Sequence, residues 1–527
     1  MMESLELGSI LPVVFTDCRE KLKMWAAISF AVMLIVIGIP LWWKTTEVER
    51  AFLPYDEIYK LKPSVVNIQM KVFIHCQYPS RTNALIGDLK NMLMTDIYDL
   101  VYTPFKINNE IETYLDIEND ERLNNVTYGN ILLVEVHHLP QRYKVLVSNK
   151  RIIYFTPETS NHLIVEVMRD WHLRESDLKT KIKSIIVPQS VQESENLDSL
   201  RAALNYDMVF TIINSNPENV KLVWDISTDI KRYIKPLLDQ ISAVSLHSLK
   251  SQWLYFIDFG VLPEKNSNGY TLPLSQLPHI ITPLEKKLGS GISKNPCVHL
   301  ILYTSSCDQS PLSFVSPTGR LVNSMISPQW GGVQIINPSQ RNCKEGEELK
   351  VDSKKIMAVF VSQIHTLLGI QDNNKRNPLV GLFNSTGGTL RDWELDKLYR
   401  IRTVEQITSA SLTLQSLSKL LGEISNIVIN EDVASSINDA IKYVKLASNS
   451  LGNSKLDEAL NYSRVAYQAA ETAFSDPSLL ALLYFPDDQK YAVYIPLFLP
   501  IMIPVLMSLK KIQMWVFYGT TKVNVIS

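Results

Sequence analysis

The chain has 527 residues, room for about three domains, and its 46% apolar and 20% charged residues exclude a disordered or fibrous protein. Its 52 Lys and Arg against 54 Asp and Glu leave a net charge of −2, which excludes a globally basic nucleic-acid binder. A mean hydropathy of +0.01 is too low for a polytopic transporter, but that average hides two strongly apolar segments.

The first apolar segment runs from Trp25 to Trp43, WAAISFAVMLIVIGIPLWW, without a charge. Its length at about 1.5 Å per residue is enough to cross about 30 Å of hydrocarbon. A buried core helix would be broken by polar positions, and this run is not. A cleaved signal peptide has a shorter apolar core ending in small residues. Here the run ends in Pro40, Leu41, Trp42 and Trp43, which suit an interfacial aromatic belt. The segment reads as an uncleaved anchor, with residues 24–43 as transmembrane helix 1 and 1–23 as a terminal segment.

From about 65 to 390 short β-branched runs alternate with amphipathic stretches, which predicts an α/β domain over residues 44–390. Strand expectations are Val65–His75, Ile131–His138, Ile152–Phe155, Met208–Ile213, Trp253–Ile257 and Val298–Tyr303. Helices are expected near 161–173, 193–204, 228–245 and 353–368. After Trp393 the texture changes. Apolar residues step by three and four through Ile407, Ala410, Leu414, Leu417 and Leu421, then from Val433 to Leu451, then from Leu456 to Phe474. Three amphipathic helices in residues 391–490 read as a helical bundle.

The second apolar segment, Ala492 to Leu509, reads AVYIPLFLPIMIPVLMSL and gives transmembrane helix 2 over 491–509. Pro496, Pro500 and Pro504 are spaced four apart and share one helical face. Each removes an N–H and frees a carbonyl one turn back. The segment is read either as a kinked membrane helix or as one that packs against another membrane subunit or lines a lipid-filled cavity.

Arg19, Lys21 and Lys23 precede the first span, and Lys510, Lys511 and Lys522 follow the second. This places both termini, 1–23 and 510–527, in the cytosol and the long middle in the lumen. The same Arg19, Lys21 and Lys23 either contact anionic lipid headgroups or serve as a topology signal alone. Asn125, Asn384 and Asn461 open N-x-[ST] sequons, with Asn384 beside Gly387 and Gly388 the best acceptor and Asn461, inside a helix, the worst. Cys76, Cys297, Cys307 and Cys343 would be lumenal, either as buried free thiols or as two disulfides with three pairings open, Cys297 and Cys307 being closest in sequence.

Catalytic signatures are sparse. There is no nucleophile elbow, phosphate-binding loop or zinc spacing, and no cofactor or metal site is expected. His137-His138 lacks a metal-binding frame. Cys297-Val298-His299 puts a thiol and a base on one strand face without ensuring contact. Asp487-Asp488 fits a solvated turn after Pro486, or a metal or lipid contact at the membrane mouth.

Several runs nevertheless resemble one family. These are Pro40-Leu41-Trp42-Trp43-Lys44-Thr45-Thr46-Glu47, Asp476-Pro477-Ser478-Leu479-Leu480, and Phe485-Pro486-Asp487-Asp488-Gln489-Lys490 leading into the proline-spaced span. Trp224-Asp225-Ile226, Leu277-Pro278-His279, Pro328-Gln329-Trp330-Gly331-Gly332 and Ser425-Asn426-Ile427-Val428-Ile429 add to them. They resemble the PIG-S family of glycosylphosphatidylinositol (GPI) transamidase subunits, strongest at both ends and weak from about 60 to 200.

The resemblance implies a non-catalytic scaffold in the endoplasmic reticulum membrane. Its complex replaces a C-terminal peptide of a proprotein with a preassembled GPI lipid. The implied partners are the caspase-like catalytic PIG-K, PIG-T, PIG-U and the GPAA subunit. Two other classes stay open on the residues alone: a tethered thiol or metal hydrolase, and a free-standing lumenal adhesion or lipid-transfer domain.

Overall fold

The computed structural model describes residues 22, 25–46, 50–63, 66–107, 113–118, 126–140, 142–187, 200, 202–267, 269–288, 293–328, 330–344, 348–370, 377–383, 388–424, 427–480 and, in part, 492–513. The chain divides into two units. One comprises Met1–Pro54, Ser416–Ile437 and Thr472–Ser527, and the other Tyr55–Gln415 and Asn438–Glu471.

The second unit holds two main sheets. The first contains β1 (Ile68–His75), β2 (Tyr98–Pro104), β3 (Ile131–Glu135), β4 (Val145–Val147) and β5 (Ile152–Phe155). The second contains β6 (Asn205–Asn214), β7 (Leu246–Tyr255), β8 (Cys297–Thr304), β9 (Ser324–Ser327) and β10 (Gly331–Ile336), while β11 (Val380–Leu382) returns to the first. The orders are β11-β4-β5-β3-β1-β2 and β9-β10-β8-β6-β7.

These orders describe one plan used twice. In each sheet the first strand lies parallel between the second and third, the fifth runs parallel to the third, and the fourth pairs antiparallel with the fifth. The sequence shows no repeat, because the shared features are strand direction and apolar content rather than particular residues. In β1 the even positions Ile68, Met70, Val72 and Ile74 are buried at period two. In β3 and β5 every residue is buried, as befits central strands covered on both faces.

Helices connect the strands as parallel pairing requires. After β1 comes α1 (Pro79–Met92), opened by a proline at its first position, where no N–H is missed. After β5 comes α2 (Asn161–Val167), capped by Ser160 and continuing as a π-helix through Met168–Leu173. After β10 comes α3 (Ser353–Leu367), capped by Asp352, whose carboxylate accepts from Lys355 N at 3.2 Å.

Ile152–Phe155 is found as expected and the other expected strands with shifted ends. The largest shift is β7, expected to start at Trp253 and in fact starting at Leu246. Its first seven residues, LHSLKSQ, are mostly polar and none is buried, so the stretch lacks the apolar run that marks a buried strand. The expected helices near 161–173, 228–245 and 353–368 are present; most of 193–204 lies outside the described residues, and β6 begins at Asn205. The helices Pro79–Met92 and Glu175–Ile186 were not expected, since each buries only two or three residues.

The expected helical stripes become α4 (Asp392–Glu423), α5 (Glu431–Gly452) and α6 (Leu456–Phe474). Ile407, Ala410, Leu414, Leu417 and Leu421 are buried, as are Val433, Ile437, Ala440, Val444, Ala447 and Leu451, whereas Phe474 at the end of the third stripe is exposed. In the first unit, Arg50 donates to the carbonyls of Leu421 (2.5 Å) and Ile424 (3.3 Å), satisfying the last turn of α4. The first half of α4 also buries Glu394, Asp396, Lys397, Arg400, Arg402 and Glu405, so it carries charge on faces that are not solvated.

Candidate functional site

In α/β sheets the crevice beyond the carboxyl ends of the strands, where strand order reverses, is where chemistry is usually placed. In the first sheet this point lies past β1 and β3. It collects Cys76, Arg81 and Glu135. Arg81 Nε sits 3.2 Å from Glu135 Oε1, and the Arg81 guanidinium also donates to the carbonyl of Pro157. Cys76 is buried, and that burial, reinforced by the Glu135 carboxylate, pushes its thiol up to about 12. A thiol held there is protonated at neutral pH and a poor nucleophile.

The matching point of the second sheet lies past β6 and β8. Ser215 Oγ donates to Thr304 O at 2.9 Å, Ser305 Oγ to Asn337 Oδ1 at 2.8 Å, and the Tyr303 hydroxyl to Asp258 Oδ1 at 3.2 Å. A disulfide between Cys307 and Cys343 closes the neighbouring segment, and neither Cys76 nor Cys297 is in a disulfide. It therefore skips the pair closest in sequence and joins two cysteines 36 residues apart. Cys297 Sγ faces the Asn295 carbonyl at 3.7 Å. The His299 ring packs on Trp330, 5.5 Å between centroids, and burial holds it down at about 4. The Cys297 thiol and the His299 imidazole thus each meet a local neighbour, the Asn295 carbonyl and the Trp330 ring. Among the described residues no group of three His, Cys, Asp or Glu is placed to hold a metal.

A cleft of about 530 Å³ opens beside the π-helical turn after α2. Thr95, Trp171, Arg174, Asp177, Lys179 and Asn377 are among its walls. Four of its charges are paired with one another: Arg174 with Asp177 at 2.9 Å, and Lys179 with Glu175 at 3.0 Å.

The described residues of both apolar segments are helical. Residues 25–33 are α-helical, Leu34–Gly38 form a π-turn and Ile39–Thr46 resume the α-helix. The described residues between 492 and 510 have helical backbone, and Pro496, Pro500 and Pro504 sit on it with exposed side chains. Among the described residues no helix is long and apolar enough to cross a membrane. The span expected at 24–43 is thus not a single α-helix, since the π-turn interrupts it, and several residues of the span expected at 491–509 lie outside the described residues. Both segments nevertheless expose large apolar side chains, including Trp25, Val36, Ile37, Ile495, Leu506 and Met507.

Other expected site residues fall variously. Arg19, Lys21, Lys23, Asn125 and Asn384 lie outside the described residues, as do Asp487 and Asp488. Asn461 is exposed on α6. The buried ionic positions of α4 were not anticipated; a hydrophobic stripe draws attention to the face it marks and away from charges on the others.

Comparison with known proteins bears on the whole chain. A family model described as PIG-S, phosphatidylinositol-glycan biosynthesis class S protein, matches residues 29–518. A "GPI-anchor transamidase component PIGS" of Rattus norvegicus is 33% identical over 94% of this chain and 96% of its own length. The Homo sapiens protein of that name is 33% identical over 92% of this chain and 94% of its own. A "GPI transamidase component PIG-S homolog" of Schizosaccharomyces pombe is 27% identical over 91% and 82%. The match runs through 60–200, where the sequence motifs were thin, and so the chain belongs to the PIG-S family of phosphatidylinositol-glycan biosynthesis class S proteins.

Proposed function

We propose that this chain, as a component of the GPI transamidase, is a scaffold that supplies no reacting group. The complex attaches a preassembled GPI anchor to the C-terminus of proproteins in the endoplasmic reticulum. The observation that carries the reading is the state of Cys76. It is the thiol at the crevice where an α/β enzyme would place its chemistry, and burial beside Glu135 pushes it up to about 12. The nucleophile then belongs to another chain, the caspase-like PIG-K, with PIG-T, PIG-U and the GPAA subunit as further partners.

The same reading makes residues 24–43 and 491–509 membrane spans, with 1–23 and 510–527 cytosolic and 44–490 lumenal. The exposed apolar side chains on both segments support it, because large exposed apolar surface calls for lipid or protein cover. Within it, Arg19, Lys21 and Lys23 meet anionic headgroups, and Asn384 and Asn125 are the favoured glycan acceptors. Pro496, Pro500 and Pro504 pack against a neighbouring membrane helix.

The test replaces Cys76, Cys297, Cys307 and Cys343 by Ser one at a time and measures GPI attachment in cells lacking the native subunit. Activity should persist wherever the chain folds and assembles. Total loss in a variant that folds and assembles normally would instead make this chain a thiol enzyme.

A further inference from the structure

The second sheet ends in an edge without the usual protection. β7 is ten residues long and stands last in its sheet. Leu246 N donates to Leu204 O at 2.9 Å and Phe256 N to Asn214 O at 3.1 Å, both toward the β6 side. In a strand, residues that turn N–H and C=O to one neighbour alternate with residues that turn both away. The even positions of β7 therefore face β6. His247, Leu249, Ser251, Trp253 and Tyr255 direct their backbone groups outward, and these meet no backbone partner among the described residues.

Natural edges are kept from pairing by shortness, proline, bulges or charge. β7 keeps an unbroken register with β6 from Asn205↔Leu246 to Asn214↔Tyr255, so it carries no bulge. It contains no proline, and Lys250 is drawn across the sheet to Asp207 rather than standing guard at the edge. Leu249 and Tyr255 are exposed on the face they share with Trp253, and Phe256 follows them, 66% exposed. The corresponding edge of the first sheet, β2, is seven residues long, carries Asp99 and ends in Pro104.

We propose that β7 accepts an extended strand from another subunit of the transamidase, adding it to the sheet through the outward N–H and C=O groups. The incoming segment would place alternate apolar side chains over Leu249, Trp253 and Tyr255 and carry no proline at the positions that donate. The inference rests on the reading of this chain as a component of a multi-subunit complex.

Amide hydrogen exchange on the full chain, alone and in the purified complex, tests it directly. Leu249, Ser251 and Trp253 should exchange at least about tenfold more slowly in the complex, while Ser248, Lys250 and Gln252 are protected in both states. Ser251→Pro removes one outward N–H and keeps every bond to β6, so protection of Lys250 and Gln252 should stay. Recovery of partner subunits with the tagged variant should then fall about fivefold, and Ser251→Ala should restore it. Equal exchange of the outward amides in both states, or normal assembly of Ser251→Pro, overturns the inference alone. Protection in the isolated chain that grows with its own concentration assigns the edge to a second copy and also overturns it. A chain that co-purifies with no other subunit overturns the component reading and this inference together.

Discussion

Arg151 and Asp396, 245 residues apart in sequence, meet in a bidentate ion pair: Nε to Oδ2 at 2.6 Å and Nη2 to Oδ1 at 2.9 Å. Arg151 lies in the turn between β4 and β5, and its guanidinium also stacks over the Tyr128 ring at 4.6 Å. Asp396 belongs to α4. The pair fastens the start of the long helix to the first sheet, and Trp393 adds a bond from Nε1 to Ser148 O at 3.1 Å.

Asp396 is 2% exposed, and removing it takes away the bidentate partner of Arg151, which keeps only the longer ionic contact to Asp392 Oδ2 at 3.4 Å. Asp396→Ala should destabilise the chain by about 3–5 kcal/mol, read as a lower midpoint of thermal or denaturant unfolding. Replacing both partners, Arg151→Met with Asp396→Leu, should cost much less than the two single changes added together. Strictly additive losses would mean that the two charges act independently.

The disulfide gives a second stability test. Cys307→Ser and Cys343→Ser should each lower stability by about 4 kcal/mol, the loop-closure value for 36 residues. The double variant should be no worse than either single one. Cys297→Ser should leave unfolding nearly unchanged. A larger loss in the double variant would mean that the thiols matter apart from their bond.

The parts of the fold legible in the sequence are those with a strong apolar period. The stripe through Leu414, Leu417 and Leu421 and the runs of β3 and β5 name their own burial. What escaped has a different physical basis. The doubled strand plan lives in hydrogen-bond direction, which residue types do not encode. The edge strand β7 hides because exposure on both faces lets Ser248, Lys250 and Ser251 stand in a strand. On α4, Asp396, Lys397 and Arg400 depend on Arg151, Asp177 and the His172 carbonyl, more than 200 residues away, and no local pattern marks them, whereas Arg391–Glu394 and Arg402–Glu405 are local pairs three residues apart. At the candidate site, the motif search identified Cys297-Val298-His299, but only coordinates show His299 on Trp330 and Cys76 beside Glu135.

Buried histidines set the response to acid. Burial holds His172 at about 3, with Arg400 adding to the effect, and burial holds His299 at about 4. Both lie below the unfolded value of about 6.5. The stability tied to their neutral form is fully present above pH about 6.5 and is lost as pH falls toward 4. At pH 5 each should have cost about 2 kcal/mol relative to pH 7.5. His299→Phe keeps a ring against Trp330 and removes one titration, so its unfolding midpoint should fall less between pH 7.5 and 5. An unchanged pH slope in that variant would show that His299 does not titrate on unfolding.

The proline-spaced segment yields the last test. Pro496, Pro500 and Pro504 leave the carbonyls of residues 492, 496 and 500 without their usual helical donors. In a bilayer each unsatisfied group costs several kcal/mol, because lipid tails offer no hydrogen bonds. All three prolines are exposed, whereas Val505 beside them is 5% exposed. The face that Val505 turns toward its own surroundings is therefore not the proline face, which is left for a neighbour. A Ser, Thr, Asn or Trp from another membrane subunit would satisfy the freed carbonyls and hold the helix at that face. Changing all three prolines to Leu restores the helical bonds and straightens the segment. The variant chain should insert as well as the native one, but associate less with the other subunits, measured by co-purification in mild detergent. Activity in cells lacking the native subunit should fall in step. Normal assembly with full GPI attachment would make the prolines a passive kink and refute the packing role.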